Sequence, residues 1–338
     1  MKKIIKKIIR NIKFMLLKLN NMIVVLTHKQ NFNKSVAIVS CNKWVLKVKE
    51  DWLLKNALNK LNVNVDIISW EDESLDYKKY DALIIRSIWG YQDNSIKFNN
   101  WLDSLLKNNI KVFNDVSIVK NNLNKYEQFK LLKKYNIPCI NTEFIFKKDI
   151  KDSLSNTINS LLETNFNKKD LIVIKPVISG SGNNTYIIDS KKNHNNSIML
   201  SEVDSLFNND ILTNGLMIQK FMPEIINGEY SLIYIDSSLS HVMLRFPAIF
   251  SSVYHVDEIV LKSLDSEVLS LGNSIKEIKE YKNSLYMRVD ILKTNEGTKI
   301  MEVELLDPDL LYNYIKDSKM RQKAMNLFAN SIVKRLNK

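Results

Sequence analysis

Short apolar runs rich in β-branched residues alternate with segments of helical periodicity from Ser35 onward, and this alternation constrains the possible folds most. The runs 36–40, 63–68 and 82–85 consist largely of Val, Ile, Leu and Ala, whereas 51–61 and 96–106 carry apolar residues three and four apart. Branched side chains suit a strand, and repeats at three and four line one face of a helix. Such units predict a small parallel sheet with crossover helices. Ligands of these sheets sit beyond the carboxyl ends of the strands. The segment Arg86-Ser-Ile-Trp-Gly-Tyr91 follows the third run and so faces a ligand, with Arg86 and Trp89 as candidate substrate contacts. The competing reading pairs Arg86 with a surface carboxylate and puts Trp89 in the core.

Beyond a linker from 114, the pattern predicts a helix at 126–135, a strand at 142–146, a helix at 150–162 and strands at 171–174 and 186–188. A helix at 199–207 and a strand at 216–219 follow. Strands then dominate, at 230–235, 241–246, 286–292 and 299–305, with Asn295-Glu-Gly297 as a hairpin turn and 318–336 as a closing amphipathic helix.

The net charge is confined to one end. The chain of 338 residues has 49 Lys and Arg against 37 Asp and Glu. Twelve of those bases precede Glu50 and no acid does, so 49 − 12 leaves 37 bases against 37 acids in the body. A neutral body argues against nucleic acid as a partner. In the basic end, Ile4, Ile5, Ile8, Ile9, Ile12, Met15, Leu16 and Leu19 recur at helical spacing among Lys and Arg. That pattern suits an anionic membrane surface or an acidic partner, or a plain solvated extension. Lysines interrupt the apolar run, so no spanning helix is predicted, and no small-residue cleavage site marks a secretory signal. Cys41 and Cys139 with four scattered His offer neither a disulfide framework nor zinc spacing. These features together predict a cytoplasmic protein, with peripheral membrane contact through residues 1–34 as an added expectation.

Two constellations carry chemistry. Of the chain's 7 glycines, two fall in Ser179-Gly180-Ser181-Gly182-Asn-Asn-Thr185, directly after the strand-ending Ile174-Lys175-Pro176. Glycines let backbone N–H groups approach phosphate oxygens, the hydroxyls of Ser179, Ser181 and Thr185 add donors, and Lys175 adds a cation. By itself such a loop is equally a plain hairpin. The second constellation is acidic. Arg288-Val-Asp290 lies in one strand-like run and Glu302-Val-Glu304 in the next, and residues two apart share a strand face. Three carboxylates on an apolar sheet repel one another unless a cation joins them, and hard oxygen ligands suit Mg2+. A third segment, Leu216-Met-Ile-Gln-Lys-Phe-Met-Pro-Glu224, ends a strand in a proline turn whose free backbone groups are able to read an adenine edge.

The order of these features resembles the ATP-grasp superfamily, and glutathione-synthetase-like members in particular. The resemblance spans about Val36 to Tyr314, on RSIWGY at Arg86, NKY at Asn124, IKPVISGSGNNT at Ile174, IQKFMPEIINGEYSL at Ile218, HVMLRFP at His241, YMRVD at Tyr286 and MEVELLDP at Met301. It implies an α/β (α+β) fold: an extension (1–34), a small N-terminal parallel α/β domain (35–115), a central lid subdomain (116–215) and a C-terminal antiparallel-sheet subdomain (216–338). It further implies ATP and Mg2+ as cofactors. Lys125, Lys175 and the 179–185 loop would contact the phosphates, and Gln219, Lys220 and Met222 would frame the adenine. Glu224 or Glu229 would hold the ribose. Asp290, Glu302 and Glu304 would bind the metal, with Arg245 and Arg288 at the transferring phosphoryl group. Relatives often carry Asn where Glu304 stands, and those with the Arg-Ser-x-Trp segment usually continue with Asp, where this chain has Gly90.

The activity implied is a carboxylate-amine ligase, acting on an amino acid or peptide through an acyl phosphate. A non-catalytic nucleotide-binding or membrane-surface partner with the same fold is the alternative.

Overall fold

The computed structural model describes residues 9, 11–19, 33–150, 152–166, 170–180, 184–189, 214–246, 255–259 and 261–338. Residues 11–19 are helical (α1). The first sheet contains β1 (Lys34–Ser40), β2 (Val63–Ser69), β3 (Ala82–Ser87) and β4 (Val112–Phe113), all parallel in the order β2-β1-β3-β4. Its crossover helices are α2 (Lys49–Asn59) and α3 (Ser95–Lys107). Every residue of β3 is buried, as the unbroken Ala-Leu-Ile-Ile run requires when helices cover both faces. One face packs on α2, and the other meets Trp70, Phe98 and Trp101.

The stretch predicted as a linker forms α4 (Val116–Leu123), which Asp115 caps by accepting from the Ser117 N–H. Then comes α5 (Lys125–Lys134), capped by Asn124 through the amides of Tyr126 and Glu127. An Asp and an Asn at the N-caps are visible start signals, and the eight-residue α4 is too short for periodicity to announce it.

A second sheet holds β5 (Thr142–Ile145), β6 (Leu171–Pro176), β7 (Tyr186–Asp189) and β8 (Leu216–Lys220), antiparallel in the order β5-β8-β6-β7 and backed by α6 (Leu154–Asn165). The helix predicted from 150 starts at Leu154, because Ser153 caps it by accepting from the Asn156 N–H. The helix predicted at 199–207 lies outside the described residues.

The third sheet has β9 (Glu229–Ile235), β10 (Ser238–Phe246), β11 (His255–Ile259), β12 (Tyr286–Thr294) and β13 (Gly297–Glu304), antiparallel in the order β11-β10-β9-β12-β13. One of its faces is apolar and packs on α5 and on α7 (Ser266–Lys276), a helix the periodicity reading missed. Gly272 permits that contact, since a Cβ there would stand 2.4 Å from a Leu232 methyl. The closing helix α8 (Ser318–Leu336) packs against α2 and the first sheet. Mixed parallel and antiparallel sheets match the predicted fold class. Cys41 and Cys139 are free thiols, the first buried.

Among the described residues no helix is long and apolar enough to cross a membrane. α1 touches α2 through the Leu17 carbonyl, which accepts from Asn56 Nδ2 at 3.5 Å, and leaves Ile12, Met15, Leu16 and Leu19 exposed.

Candidate functional site

The second face of the third sheet is polar, and the alternation of the strands makes it so. Asp290 lies directly opposite Glu302, Arg288 opposite Glu304, and Ser231 opposite Asp290 from the other side. Arg245 lies opposite Glu229. A β-bulge interrupts the β12–β13 register between Asp290 and Ile291, so that Met301 has no direct partner. Such a bulge re-aims side chains, and Met301 and Glu302, adjacent in sequence, both line the same cavity.

That cavity, of about 830 Å³, lies between the polar face, the second sheet and the exit loop of β3. Val173, Ile187, Phe221, Met222, Ile225 and Met301 form its apolar part. Lys125, Lys175, Arg245 and Arg288 bring cations to it, and Glu229, Asp290, Glu302 and Glu304 bring carboxylates. Lys125 Nζ stands 2.8 Å from Glu302 and donates to the Ser179 carbonyl at 2.9 Å. Arg288 contacts Asp290 at 2.9 Å and Glu304 at 2.7 Å, and Arg245 contacts Asp290 at 2.7 Å and Glu229 at 2.9 Å. Lys175 has no ion-pair partner among the described residues, and burial lowers its pKa.

The field of these groups sets their protonation. Burial pushes the Glu302 carboxyl up, but Lys125 and Lys175 outweigh it and hold its pKa low. Asp290 is also depressed, because Arg245 and Arg288 overcome its burial. Glu304 goes the other way, raised by burial and by Glu302 and Asp290 beside it. Burial lifts Glu229 to about 7 against the pull of Arg245.

A row of side chains fixes β13 and the strand-free segment after it. Gln128 donates to and accepts from the backbone of Val303, while Asn122 bonds the Val303 carbonyl and the Leu305 N–H. Two amides thus satisfy the open edge of β13. Six successive carbonyls then accept from six different side chains. Leu305 takes Asn114 Nδ2 at 2.8 Å, Leu306 the Tyr286 hydroxyl at 3.0 Å, and Asp307 the Trp89 indole at 3.2 Å. Pro308 takes Arg86 Nη2 at 2.9 Å, Asp309 takes Arg288 Nη1 at 3.2 Å, and Leu310 takes His241 Nε2 at 2.7 Å. Facing a carbonyl, Nε2 must carry the hydrogen, and burial keeps this ring neutral by lowering its pKa to about 4.

Several predicted residues take different places. Arg86 is buried, stacks on Tyr286 and Phe328, and supports the Pro308 carbonyl, so it stands behind the cavity wall rather than in it. Trp89 does line the cavity. Glu224 turns away from it to accept from the Asn295 N–H, bracing the β12–β13 hairpin. Gln219 lines the cavity, with its amide donating to Thr142, and Lys220 pairs with Glu296 and Asp170. Ser179, Gly180 and Thr185 line the cavity, whereas Ser181 and Gly182 lie outside the described residues.

For Mg2+ the donor chemistry fits, as all three predicted ligands offer carboxylate oxygen to one cavity. The arrangement differs from the expected acidic cluster, because each carboxylate is spent on an Arg or Lys. Among the described residues no three acids, His or Cys come together as a metal cage. The Glu302 and Glu304 side chains are 26% and 29% exposed and have room to turn, while Asp290, at 1%, is held by two arginines and Ser231.

Sequence reasoning passed over Asn122, Gln128, Asp307, Asp309 and the apolar slot. Only the Asp307-Pro pair left a signal, inside the MEVELLDP segment.

Residues 36–114 match the family model described as D-cycloserine synthetase DcsG, N-terminal domain. No curated protein sequence matches the chain significantly. The fold is similar to the crystal structure of D-cycloserine synthetase DcsG (15% identity, 89% of this chain and 99% of that one covered, TM-score 0.72). It is also similar to the D-alanine–D-alanine ligase of Bacillus anthracis complexed with ATP (16%, 90% and 97%, 0.61). A third likeness is to the ATP-grasp ligase PsnB complexed with precursor peptide PsnA2 and AMPPNP (12%, 90% and 99%, 0.56).

Proposed function

The chain has an ATP-grasp fold, and on that premise we propose that it is an ATP- and Mg2+-dependent ligase joining a carboxylate to an amine through an acyl phosphate. The observation that carries the reading is the polar sheet face, where cations and carboxylates alternate on β9, β10, β12 and β13 beside an apolar slot. A nucleotide has that same split, an apolar base and a polyanionic tail. The similar structures solved with ATP, ADP, AMPPNP or a precursor peptide support it by analogy of fold.

In this reading the adenine lies among Val173, Ile187, Phe221, Met222 and Met301, with Gln219 and Lys220 at its edge. Lys125 and Lys175 meet the phosphates, and Lys125 gives up Glu302 to do so. Arg245 and Arg288 neutralise charge on the transferring phosphoryl group, in a dry site where such donors act strongly. Glu302 and Glu304 are the metal ligands with room to move, with Asp290 completing the set. Bound Mg2+ supplies further neutralisation of the phosphate oxygens. The substrate carboxylate attacks the γ-phosphorus, ADP departs, and the amine displaces phosphate from the acyl carbon.

The test is ADP release with Mg2+ over a matrix of amino-acid and dipeptide pairs. Pair-dependent release supports the reading, and its absence for every pair rejects it. The basic extension is proposed as a contact for anionic membrane, since its described apolar residues Ile12, Met15, Leu16 and Leu19 are exposed. Full-length protein should sediment with anionic vesicles at low salt while a chain starting at Asn33 does not, and equal sedimentation rejects that contact.

A further inference from the structure

β13 and the segment after it run the length of the cavity. Met301 stands in the apolar slot, Glu302 and Glu304 at the polar centre, and Leu306, Asp307 and Asp309 at the end shared with Trp89, Tyr91 and Gln92. The nucleotide occupies the first two regions under the ligase reading, and the third is left over. Asp307 is the unusual group there. Its Oδ2 is buried with no hydrogen-bond partner, and no Lys or Arg comes within ion-pair distance of it among the described residues. Asp309, by contrast, accepts from the Leu311 N–H.

An unpaired buried carboxylate oxygen costs free energy and persists only where the surroundings enforce it. Enforcement is visible, because the six bonded carbonyls from Leu305 to Leu310 hold this segment in a single shape. Preorganised binding groups are held in this manner.

We propose that Asp307 binds the acceptor substrate as a primary ammonium and takes a proton from it before attack. The class of acceptor is therefore a cationic amine, such as the amino group of an amino acid or peptide, and not an alcohol or a neutral amide. An ammonium sheds two protons in becoming an amide. One passes to the Asp307 carboxylate and frees the nitrogen lone pair, which attacks the acyl carbon. The bond from that carbon to the phosphate oxygen breaks, phosphate leaves with the electron pair, and the second proton leaves the new amide nitrogen to phosphate. Asp307 suits this work, since burial and Glu304 raise its pKa to about 8 against the pull of Arg86, Arg288 and Lys125. A base near neutrality accepts a proton and still releases it.

The inference rests on the ligase reading, and the experiment separates the two. ADP release by the full chain is measured with the amino-acid and dipeptide pairs, and with hydroxylamine, uncharged at neutral pH, in place of the amine. Asp307→Asn should raise the amine KM about 10- to 100-fold, the worth of a charged hydrogen bond, while the KM for ATP stays within about twofold. Turnover with the ammonium acceptor should fall relative to that with hydroxylamine by a similar factor. The limb of the amine kcat/KM profile that rises with pH should be lost. At pH 9, above that pKa, the melting temperature should hold or rise, because the variant removes an unpaired buried charge. A lowered melting temperature with an unmoved amine KM would make Asp307 a structural partner of Arg86 and overturn the proposal. Equal loss with hydroxylamine and with ammonium acceptors overturns it too. No ADP release by wild-type protein with any pair rejects the ligase reading itself.

Discussion

Lys125 reaches the cavity because Asn124 caps α5 and so starts the helix with a lysine at its first turn, 2.8 Å from Glu302. Lys175, the other lysine proposed for the phosphates, leaves the second sheet at the end of β6. Replacing Lys175 with Ala should weaken ATP binding about tenfold by calorimetry, the scale of one charged hydrogen bond, and an unchanged affinity would remove it from the phosphate site. Glu302→Gln should fold normally by circular dichroism and lose about 10²- to 10³-fold in ADP release, by analogy with other lost transition-state contacts. Turnover at the wild-type rate would reject its role at the metal. A third residue test is one of stability. Burial raises the Glu50 carboxyl to about 8 despite Arg86 nearby. A raised acid holds its proton longer in the folded state, so its contribution is full below about 4.5 and is lost as pH climbs to about 8. Glu50→Gln should therefore melt higher than wild type at pH 8 and show little advantage at pH 5. A constant difference across that range would refute the assignment.

At the scale of elements, the edge of β13 shows how the site is held. A strand edge leaves backbone groups open, and here Asn122 from α4 and Gln128 from α5 close them. The same helices carry Lys125 between them, so β13 and Lys125 are held to one another through shared elements. Gln128→Leu leaves the Val303 N–H unpaired in a buried setting, while Asn122 still bonds the carbonyl, and should cost about 1–3 kcal/mol in urea unfolding. A loss under about 0.5 kcal/mol would show that water replaces the amide. On the apolar face, Gly272→Ala drives a methyl into Leu232 and the Tyr234 hydroxyl, and should cost about 1–3 kcal/mol by overpacking.

For the whole molecule, the cavity exists only where three sheets meet, and the 305–310 segment ties the first sheet to the third. Its donors are Arg86 on β3, Trp89 and Asn114 in the loops after β3 and β4, Tyr286 and Arg288 on β12, and His241 on β10. Arg86 therefore acts at a distance from substrate, and Arg86→Ala should lower the melting temperature because it frees the Pro308 carbonyl and leaves Glu50 without its cation. Losing one hydrogen bond from a charged donor typically costs about 1.5–3 kcal/mol. A full melting temperature with a raised carboxylate KM would return Arg86 to the substrate site.

The sequence by itself determined the strands other than β4 and β11, the order of the sheets along the chain and the face shared by Glu302 and Glu304. Those follow from local rules: branched runs favour strands, and residues two apart point the same way. Gly180 and Lys175 were readable for a similar reason, as a glycine loop after a strand-end cation is a local pattern. What only the tertiary structure decided lies in pairings across long sequence separations. The bulge that brings Met301 beside Glu302 depends on the register with β12, which no single strand encodes. The indole of Trp89 meets the Asp307 carbonyl across 218 residues, and Asn122 meets Val303 across 181. Arg86 read as a ligand contact because a strand end beyond a parallel sheet usually faces one. It became a support because the Pro308 carbonyl, brought in by another sheet, needed a donor in a place water does not reach.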